Sequence, residues 1–353
     1  MVTSSLPRDE RVNRARVLVI GSANVDFVVT VPRLPAAGET VSEGTLLINR
    51  GGKGANQAVA SRRLGADVRL IGCVGSDPSG ESIRSALEGE GIGIAGLMST
   101  TEAATGTALI IVDAEGRNQI AVAPGANRRL TVDDVRARED DLRWARVVIG
   151  SLEVPLPAVR EAFTVARGHG AITILNPAPV PATPIDFWPL VDYLTPNAGE
   201  AERLSGVPVR DQPSAARAAS VLRERGAGTV IVTLGGDGAL LVTADGVGHV
   251  PAFTVTAIDT TAAGDAFNAG LATGLADGRP LTAAARFASA VAALACTRRG
   301  AQDSLPTRAS VEKILWGDYR SPPSPPRSEP SREGCADAPV VRGRTCETRD
   351  RPR

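Results

Sequence analysis

A glycine-rich helix start with two aspartates is the part of the sequence best suited to chemistry. The segment DTTAAGDAFNAG starts at Asp259, and its residues Ala262, Ala263 and Gly264 lie where a helix begins. Free N–H groups at a helix start bind anions, so this turn is predicted to hold a phosphoryl group. Asp265 follows directly, in the position of a general base that accepts a proton from an attacking hydroxyl. The alternative is that Asp265 caps the helix and stabilises its dipole.

A second glycine-rich segment, NRGGKGANQAVA, contains the most distinctive basic residue of the chain. Lys53 is one of two lysines among 39 basic residues, and it follows Gly51 and Gly52. The glycines allow close approach of the backbone to a ligand, while Lys53 adds a point charge and Asn56 an amide. A glycine turn that starts a helix explains the pattern equally well. The segment is not a GxxxxGK[ST] phosphate loop, because neither Ser nor Thr follows Lys53.

Asn24 and Asp26, in the segment GSANVD, follow the first predicted strand. Their spacing of two puts both side chains on one side of an extended chain, where an amide and a carboxylate suit sugar hydroxyls. A turn held by Asx hydrogen bonds is the alternative. The segment lacks the GxGxxG pattern, so a dinucleotide site of that type is not predicted.

Two other loops allow either a ligand site or a purely structural interpretation. In TPNAGEAERL, Asn197 and Glu200 are three residues apart, which fits a helix N-cap with a capping-box Glu. The functional alternative is that Glu200 acts on Mg²⁺, commonly through water. In TLGGDG, the strand end at Thr233 is followed by Gly235 and Gly238, a pattern typical of a hairpin turn or of a nucleotide site.

Composition excludes several classes of function. The formal net charge is zero and aromatic residues make up 3% of the chain, which argues against nucleic-acid binding. The sequence has no run that approaches the roughly 20 apolar residues of a membrane span. It also lacks an N-terminal signal-peptide core, so we expect a cytoplasmic protein. The four cysteines lack metal-type spacing and the two histidines lack partner motifs, so neither a metal cluster nor a His-based mechanism is expected.

The segments that would position these groups follow the order of an α/β domain. Apolar strands are predicted at 16–21, 68–75, 146–151, 171–179, 192–197 and 229–242. Helices are predicted at 54–65, from about 76 to 91, near 157–168, 198–205 and 213–225, and at 264–277 and 282–297. This alternation predicts a mostly parallel central sheet with helices on both faces, a Rossmann-like three-layer α/β fold.

Two β-rich stretches, at about 24–50 and 105–125, do not fit this alternation. Within the first, 38–50 is interpreted as an exposed strand pair, and the second is interpreted as a hairpin. We expect them to form a small β lid over the carboxyl edge of the sheet, where ligands bind in open α/β folds. The domain would span 16–316, with a flexible N-terminus over 1–15 and a disordered Pro/Arg-rich tail over 318–353.

Six segments in this order resemble the ribokinase-type carbohydrate kinases, the phosphofructokinase-B family: GGKGANQA, LNPAP, TPN..E, TLG..G, DTTAAGDAFNAG and TRRGAQDS. The resemblance runs from about residue 16 to 316, and DTTAAGDAFNAG is highly specific. It implies a ribokinase-like fold and ATP-dependent phosphorylation of the 5-hydroxyl of a sugar, D-ribose. It also implies that Asp265 is the catalytic base and that Ala262, Ala263 and Gly264 form an anion hole.

The resemblance assigns binding roles position by position. The implied sugar-binding residues are Asn24, Asp26, Gly51, Gly52, Lys53, Asn56, Glu153 and Asp265. The implied nucleotide-binding residues are Asn197, Thr233, Gly235, Gly238, Gly264 and Ser289. Glu200 is implied at Mg²⁺, and the implied residues at an activating K⁺ are Asp259, Thr261, Ala295, Arg298, Gly300 and Ser304.

The resemblance also leaves some points open. Family members pair through the lid, so a homodimer is expected. Ser289 lies where they often have a larger polar residue near the adenine, which leaves nucleotide preference open, and Asp303 adds a charge beside the cation loop. The substrate alternatives are another furanose, such as deoxyribose or fructose, or a nucleoside. A sugar sensor without catalysis is a different class, against which Asp265 and its anion-hole turn argue.

Overall fold

A computed structural model describes residues 15–317, which form thirteen β-strands and ten α-helices. The strands are β1 (Arg16–Ile20), β2 (Asn24–Thr30), β3 (Thr45–Gly51), β4 (Asp67–Gly75), β5 (Gly93–Thr100), β6 (Gly106–Val112), β7 (Asn118–Ala123), β8 (Val147–Ser151), β9 (Ile172–Asn176), β10 (Tyr193–Leu194), β11 (Thr229–Thr233), β12 (Ala239–Val242) and β13 (Val247–Val250). The helices are α1 (Lys53–Arg63), α2 (Pro78–Gly89), α3 (Val132–Arg136), α4 (Glu139–Trp144), α5 (Leu156–Gly168), α6 (Ala198–Ser205), α7 (Gln212–Glu224), α8 (Ala263–Ala276), α9 (Leu281–Ala295) and α10 (Arg308–Leu315).

The central sheet has nine strands in the order β13-β12-β11-β10-β9-β8-β1-β4-β5. Neighbours from β11 to β5 pair in parallel, whereas β12 and β13 are antiparallel additions at one edge. Parallel strands need crossover connections, and helices supply most of them here. The predicted mostly parallel α/β fold is therefore confirmed.

Helices cover both faces of this sheet, as strand β1 illustrates. Val17 and Val19 belong to one hydrophobic cluster, which includes residues of α1, α8 and α9. Leu18 and Ile20 belong to the other cluster, which includes residues of α5 and α7. Successive side chains of a strand point to opposite faces, so a strand buried on both faces is apolar throughout.

The second sheet has four strands in the order β3-β2-β6-β7 and corresponds to the predicted β lid. Strand β2 pairs antiparallel with β3 and parallel with β6, and β6 and β7 form the predicted hairpin. The register places Leu47, Ile120 and Val122 on the face that carries Asp26, while Leu46, Ile48 and Leu109 share the opposite face. These six apolar side chains are 51–57% exposed.

Three local predictions were wrong or incomplete. The expected strand pair over 38–50 is a single strand, β3, because the chain turns at Gly38 (φ 80°) and enters the lid only from Thr45. The strand predicted over 192–197 is limited to β10, since its last residues start helix α6. Strand β5, GIAGLMST, was missed because its glycines interrupt the apolar pattern.

The predictions for the two ends of the chain, 1–15 and 318–353, lie outside the described residues, apart from Ala15. Across 15–317, the structure has no helix with the length and apolar character needed to cross a membrane.

Candidate active site

Asp265 lies in the first turn of α8 and lines a cavity of about 200 Å³. The helix begins after Ala262, whose left-handed backbone (φ 60°) is the only positive φ at a non-glycine residue between 15 and 317. Such a conformation costs free energy and is often found at functional sites. Ala262, Ala263 and Gly264 line the same cavity as Asp265, so the predicted anion-hole turn and base lie together.

The Asp265 carboxylate is turned toward helix α1. It is 5% exposed, and α8 receives no side-chain cap. Its Oδ2 accepts a hydrogen bond from Asn56 Nδ2 (2.9 Å), and its Oδ1 accepts one from Gln57 Nε2 (3.1 Å). The helix-capping alternative therefore does not describe the contacts of Asp265.

The two glycines before α1 are required by close packing around the predicted sugar residues. A Cβ atom on Gly51 would lie 2.0 Å from Asp26 Oδ2. Gly52 has φ 87°, and a Cβ there would lie 2.7 Å from the backbone nitrogen of Asn24. Glycine thus allows the loop to lie directly against Asn24 and Asp26.

Glu153 ties this loop to the end of strand β8. Its Oε2 accepts hydrogen bonds from the Lys53 backbone N–H (3.1 Å) and from the hydroxyl of Ser22. Lys53 lines the cavity at Asp265 and also a second cavity of about 560 Å³. Lys53 therefore lies where the two cavities meet.

The second cavity extends from Lys53 toward the lid. Asn24, Glu153 and Val122 of strand β7 line it, together with Asn197 and Glu200 from helix α6. Asn24 Oδ1 accepts a hydrogen bond from Asn127 Nδ2 (2.7 Å), and the Ala23 N–H donates to Asn127 Oδ1 (3.0 Å). Asn127 was missed in the sequence, where it is an unremarkable polar residue after the lid hairpin.

The Lys53 ammonium attracts four carboxylates in this region. Burial lowers the pKa of Lys53, but attraction from Asp265, Glu153, Glu200 and Asp26 outweighs it and leaves that pKa raised. Lys53 therefore stays protonated at neutral pH. Its charge offsets part of the repulsion among the carboxylates.

Burial also alters the carboxyl groups themselves. It raises the pKa of Asp265, against the opposing effects of Lys53 and Asn56. The pKa of Asp26 is raised to about 6, mainly by burial and then by repulsion from Glu153 and Asp265. Burial likewise raises the pKa of Glu200, which the Asn197 N–H opposes. Raised carboxyl pKa values of this kind are common where a base is tuned for proton transfer.

Asn197 and Glu200 form the predicted capping box at the start of α6. The Glu200 N–H donates to Asn197 Oδ1, and the Asn197 N–H donates to Glu200 Oε2, both at 2.8 Å. Both residues also line the cavity at Asp265. A third cavity, of about 350 Å³, lies beyond Asn197 and is lined by Thr233 and Gly235.

Two predicted nucleotide residues lie apart from these cavities. Gly238 does not line them; it has φ 86°, and a Cβ there would lie 2.1 Å from the Val250 carbonyl oxygen. Its glycine is therefore explained by the β11–β12 hairpin that the TLGGDG pattern allowed. Ser289 is buried on helix α9 and also lines none of the three cavities.

The predicted cation residues cluster between the loop before α8 and the segment after α9. Asp259 accepts hydrogen bonds from the backbone N–H groups of Thr261 and Gly300, each at 2.9 Å. Ala295 ends α9, Arg298 follows it, and Ser304 is buried with its hydroxyl donating to the Ala301 carbonyl. The hydrogen bond from Gly300 joins the two segments at Asp259.

Sequence reasoning missed a set of buried amides and a hydroxyl at the cavity that contains Asp265, of which Asn176, Thr195 and Asn268 line the cavity. Gln57 Nε2 also donates to Asn176 Oδ1 (3.1 Å). Thr195 donates to Asn268 Oδ1 (2.6 Å), and Asn268 Nδ2 donates to the Gly264 carbonyl (2.9 Å). Gln57 and Asn176 stood inside quoted motifs, but a linear pattern does not indicate which side chains meet.

Comparison with known proteins places this site in a family. The profile of the pfkB family carbohydrate kinases matches residues 14–308. The chain belongs to that family.

Individual relatives are more specific. The chain is 41% identical over 302 residues to a ribokinase of Haemophilus influenzae, covering 86% of this chain and 99% of that protein. It is 36% identical over 300 residues to a deoxyribokinase of Salmonella typhi, covering 85% and 98%. The solved structure of Arabidopsis thaliana ribokinase complexed with ribose and ATP matches with a TM-score of 0.79 and 31% identity, covering 86% of this chain and 99% of that one.

Proposed function

We propose that this chain is an ATP-dependent ribose kinase that transfers the γ-phosphoryl group of ATP to the 5-hydroxyl of D-ribose. The observation that carries the proposal is the buried Asp265 carboxylate beside the backbone turn of Ala262, Ala263 and Gly264 in one cavity. A base and an anion site in contact are what hydroxyl phosphorylation requires. The similarity to ribokinases over nearly all of their length supports ribose as the sugar.

The sugar is bound between the lid and helix α1. Asn24, Lys53 and Glu153 line the larger cavity and offer hydrogen-bond donors and acceptors together, which match the hydroxyls of a pentose. Asp26 lies on the same lid strand as Asn24 but lines none of the three cavities, and the proposal includes it in the sugar site. Asn56 Oδ1 is buried without a hydrogen-bond partner among the described residues, and the proposal pairs this acceptor with a sugar hydroxyl. The sugar is thereby held with its 5-hydroxyl directed at Asp265.

The chemical step is a proton transfer coupled to phosphoryl transfer. Asp265 accepts the proton of the 5-hydroxyl while that oxygen attacks the γ-phosphorus, and ADP leaves. The N–H groups at the start of α8 stabilise the charge on the transferring group. Lys53, where the two cavities meet, adds a positive charge near the same path.

The lid keeps water from competing with the sugar. Its strand β7 contributes Val122 to the wall of the larger cavity, so the lid covers the sugar side of the site. Exclusion of water also strengthens the electrostatic interactions inside.

Glu200 fits a magnesium ion that arrives with ATP. Among residues 15–317, the structure has no group of three or more His, Cys, Asp or Glu side chains arranged to hold a metal. Mg²⁺ is commonly bound through one or two carboxylates together with substrate phosphates, which the single Glu200 allows. Bound in this way, Mg²⁺ supplies charge neutralisation for the triphosphate.

The loop cluster around Asp259 fits a monovalent cation. Burial raises the pKa of Asp259, but hydrogen bonds from Thr261 and Gly300 outweigh it and leave that pKa lowered. Asp259 is therefore ionised at neutral pH, and a carboxylate has acceptor sites beyond its two N–H contacts. The proposal places K⁺ here, with carbonyl oxygens of the 295–304 segment as further ligands.

We also propose a homodimer formed through the lid, and a cytoplasmic location. The exposed apolar side chains on one face of the lid would be covered by a second copy of the chain. ATP, the proposed phosphoryl donor, is held in the cytoplasm.

The variant Asp265→Asn tests the proposed function. It keeps the shape of the side chain but removes the base, so turnover with D-ribose should fall by about 10²- to 10⁴-fold. Binding of D-ribose, measured by calorimetry on the same sample, should remain within about threefold of the wild type. Near-wild-type turnover of the variant would show that Asp265 is not the base.

Deoxyribose is the second candidate substrate, because a deoxyribokinase is similar over almost the same residues. The two sugars differ by one hydroxyl. A site built to bind that hydroxyl discriminates strongly against its absence.

A further inference from the structure

Gln57 is a fully buried amide that contacts the proposed base, Asp265, and takes no part in the proposed chemical step. It lies on helix α1 next to Asn56 and is 0% exposed. It lines none of the three cavities described around Asp265. Gln57 therefore does not border the space that the sugar and the nucleotide are proposed to occupy.

The hydrogen bonds of Gln57 connect three elements of the fold. One N–H of its amide donates to Asp265 Oδ1 on α8, at 3.1 Å. The other donates to Asn176 Oδ1 at the end of strand β9, also at 3.1 Å. Because Asn176 holds the amide from the other side, the plane of the Gln57 amide is fixed relative to the central sheet.

The two amides that hold Asp265 differ in their tasks. In the proposed function Asn56 holds Oδ2 and also offers its own Oδ1 to the sugar. Gln57 holds Oδ1 and makes no such contact. Of the two amides, only Gln57 thus has no part in sugar binding under the proposed function.

A purely space-filling role does not explain this residue. Gln57 Oε1 is buried without a hydrogen-bond partner among residues 15–317. Burying an unpaired amide oxygen opposes folding, and an apolar side chain of similar size would avoid that cost. The two hydrogen bonds that its N–H groups donate, to Asp265 and Asn176, distinguish the amide from an apolar side chain.

We propose that Gln57 is a positioning residue for the base: its amide fixes the plane of the Asp265 carboxylate and stabilises the ionised form. This inference rests on the proposed function. The charged groups around Asp265 are Lys53 on α1, Glu153 after β8, Asp26 in the lid and Glu200 on α6. Gln57 is the neutral donor that favours the carboxylate without adding charge to this set.

The test compares Gln57→Met with a matched control, Ser61→Ala. Ser61 lies one turn further along α1, and its buried hydroxyl has no hydrogen-bond partner among residues 15–317. The control therefore removes a polar atom from the same helix without touching Asp265. ADP release is measured with D-ribose and ATP·Mg²⁺ from pH 5 to 9. Both variants are first checked for folding by circular dichroism.

We expect Gln57→Met to lower kcat by about 10- to 100-fold, because a misplaced catalytic group costs about that much. The KM for ribose should stay within about threefold. Loss of the donor raises the pKa of Asp265, so the acidic limb of the kcat profile should move to higher pH. Ser61→Ala should match the wild type in all three respects.

Wild-type kcat and an unshifted acidic limb in Gln57→Met would overturn the inference, as would a defect confined to KM. If Gln57→Met does not fold, Gln57→Glu replaces it, since it keeps the shape and adds a carboxyl beside Asp265. That change should move the acidic limb further up in pH, and a wild-type profile would overturn the inference. Absence of sugar-dependent turnover in both the wild type and Ser61→Ala would instead contradict the proposed function, and the inference with it.

Discussion

At the scale of the residue, the site depends on one ammonium placed among four carboxylates. Lys53 and Lys313 are the only lysines of the chain, and only Lys53 lines the cavities at Asp265. The Lys53 ammonium attracts Asp265, Glu153, Glu200 and Asp26. Without it, these carboxylates would repel one another in a buried site.

Replacing the Lys53 ammonium should therefore lower the catalytic efficiency with the sugar. In Lys53→Met, kcat/KM for D-ribose should fall by about 10- to 100-fold, as expected for loss of a charge-assisted hydrogen bond. The matched control is Lys313→Met, which removes the other lysine from the exposed side of α10 and should leave kcat/KM unchanged. An unchanged kcat/KM in Lys53→Met would contradict the placement of the sugar.

The raised carboxyl pKa values predict an acidic limit to activity. Asp265 must be ionised to accept a proton, and its pKa is raised by burial; the pKa of Asp26 is raised to about 6. Protonation as the pH falls toward 6 should therefore lower kcat/KM for ribose, whereas carboxyls with ordinary pKa values would preserve it to about pH 4. Initial rates from pH 5 to 9 measure this. A flat profile down to pH 5 would contradict the raised values.

The sequence predicts which residues form the site where residue types and spacing are specific. It does not predict which side chains contact each other. Asp265 with its turn, and Lys53 with its two glycines, were found from short segments. The contact of Gln57 with Asp265 joins positions 208 residues apart, so only the folded chain reveals it. Gly238 illustrates the converse, since the hairpin alone accounts for its glycine.

At the scale of the element, the proposed function gives the lid two tasks that lie on different parts of one sheet. Its end near Asn24 and Asp26 borders the sugar cavity, and its outer part exposes apolar side chains. Side chains alternate between the faces of a strand, so Leu47 and Leu109 lie on opposite faces. A partner that covers one face need not cover the other.

Substitutions on the two faces test the proposed dimer. Light scattering after size exclusion should give a dimer for the wild type. Either Leu47→Lys or Leu109→Lys should shift it toward monomer, because a buried unpaired charge opposes association. Val247→Lys is the matched control, since Val247 is equally exposed but lies on edge strand β13 of the central sheet. A monomeric wild type, or a dimer in both lid variants, would contradict the proposal.

Element boundaries were predicted well where a cap or a glycine marks them. Asp77 caps α2, and the Asn197–Glu200 capping box begins α6 where the spacing indicated. Strand β5 was missed because its burial depends on packing beside β4, which its glycine-containing sequence does not indicate. The segment 38–44 was assigned to a strand because local alternation does not reveal whether a pairing partner exists.

At the scale of the whole molecule, the fold brings three distant segments to one edge of the sheet. Helix α1 and the start of α8 meet at Asp265, the lid borders the adjoining cavity, and the cluster around Asp259 lies just upstream of α8. Strand–helix alternation predicted this arrangement because parallel sheets collect their loops at the carboxyl edge. The pairing of residues across that edge required the folded structure.

The most direct test of the whole account is ADP release from ATP·Mg²⁺ on a panel of D-ribose, 2-deoxyribose, fructose and a nucleoside, with K⁺ and then with Na⁺. The account predicts that D-ribose has the highest kcat/KM and that its turnover rises when K⁺ replaces Na⁺. Equal turnover in the two salts would contradict the cation role of the Asp259 cluster. Turnover confined to another sugar, or absent from the whole panel, would contradict the assignment of the chain as a ribose kinase.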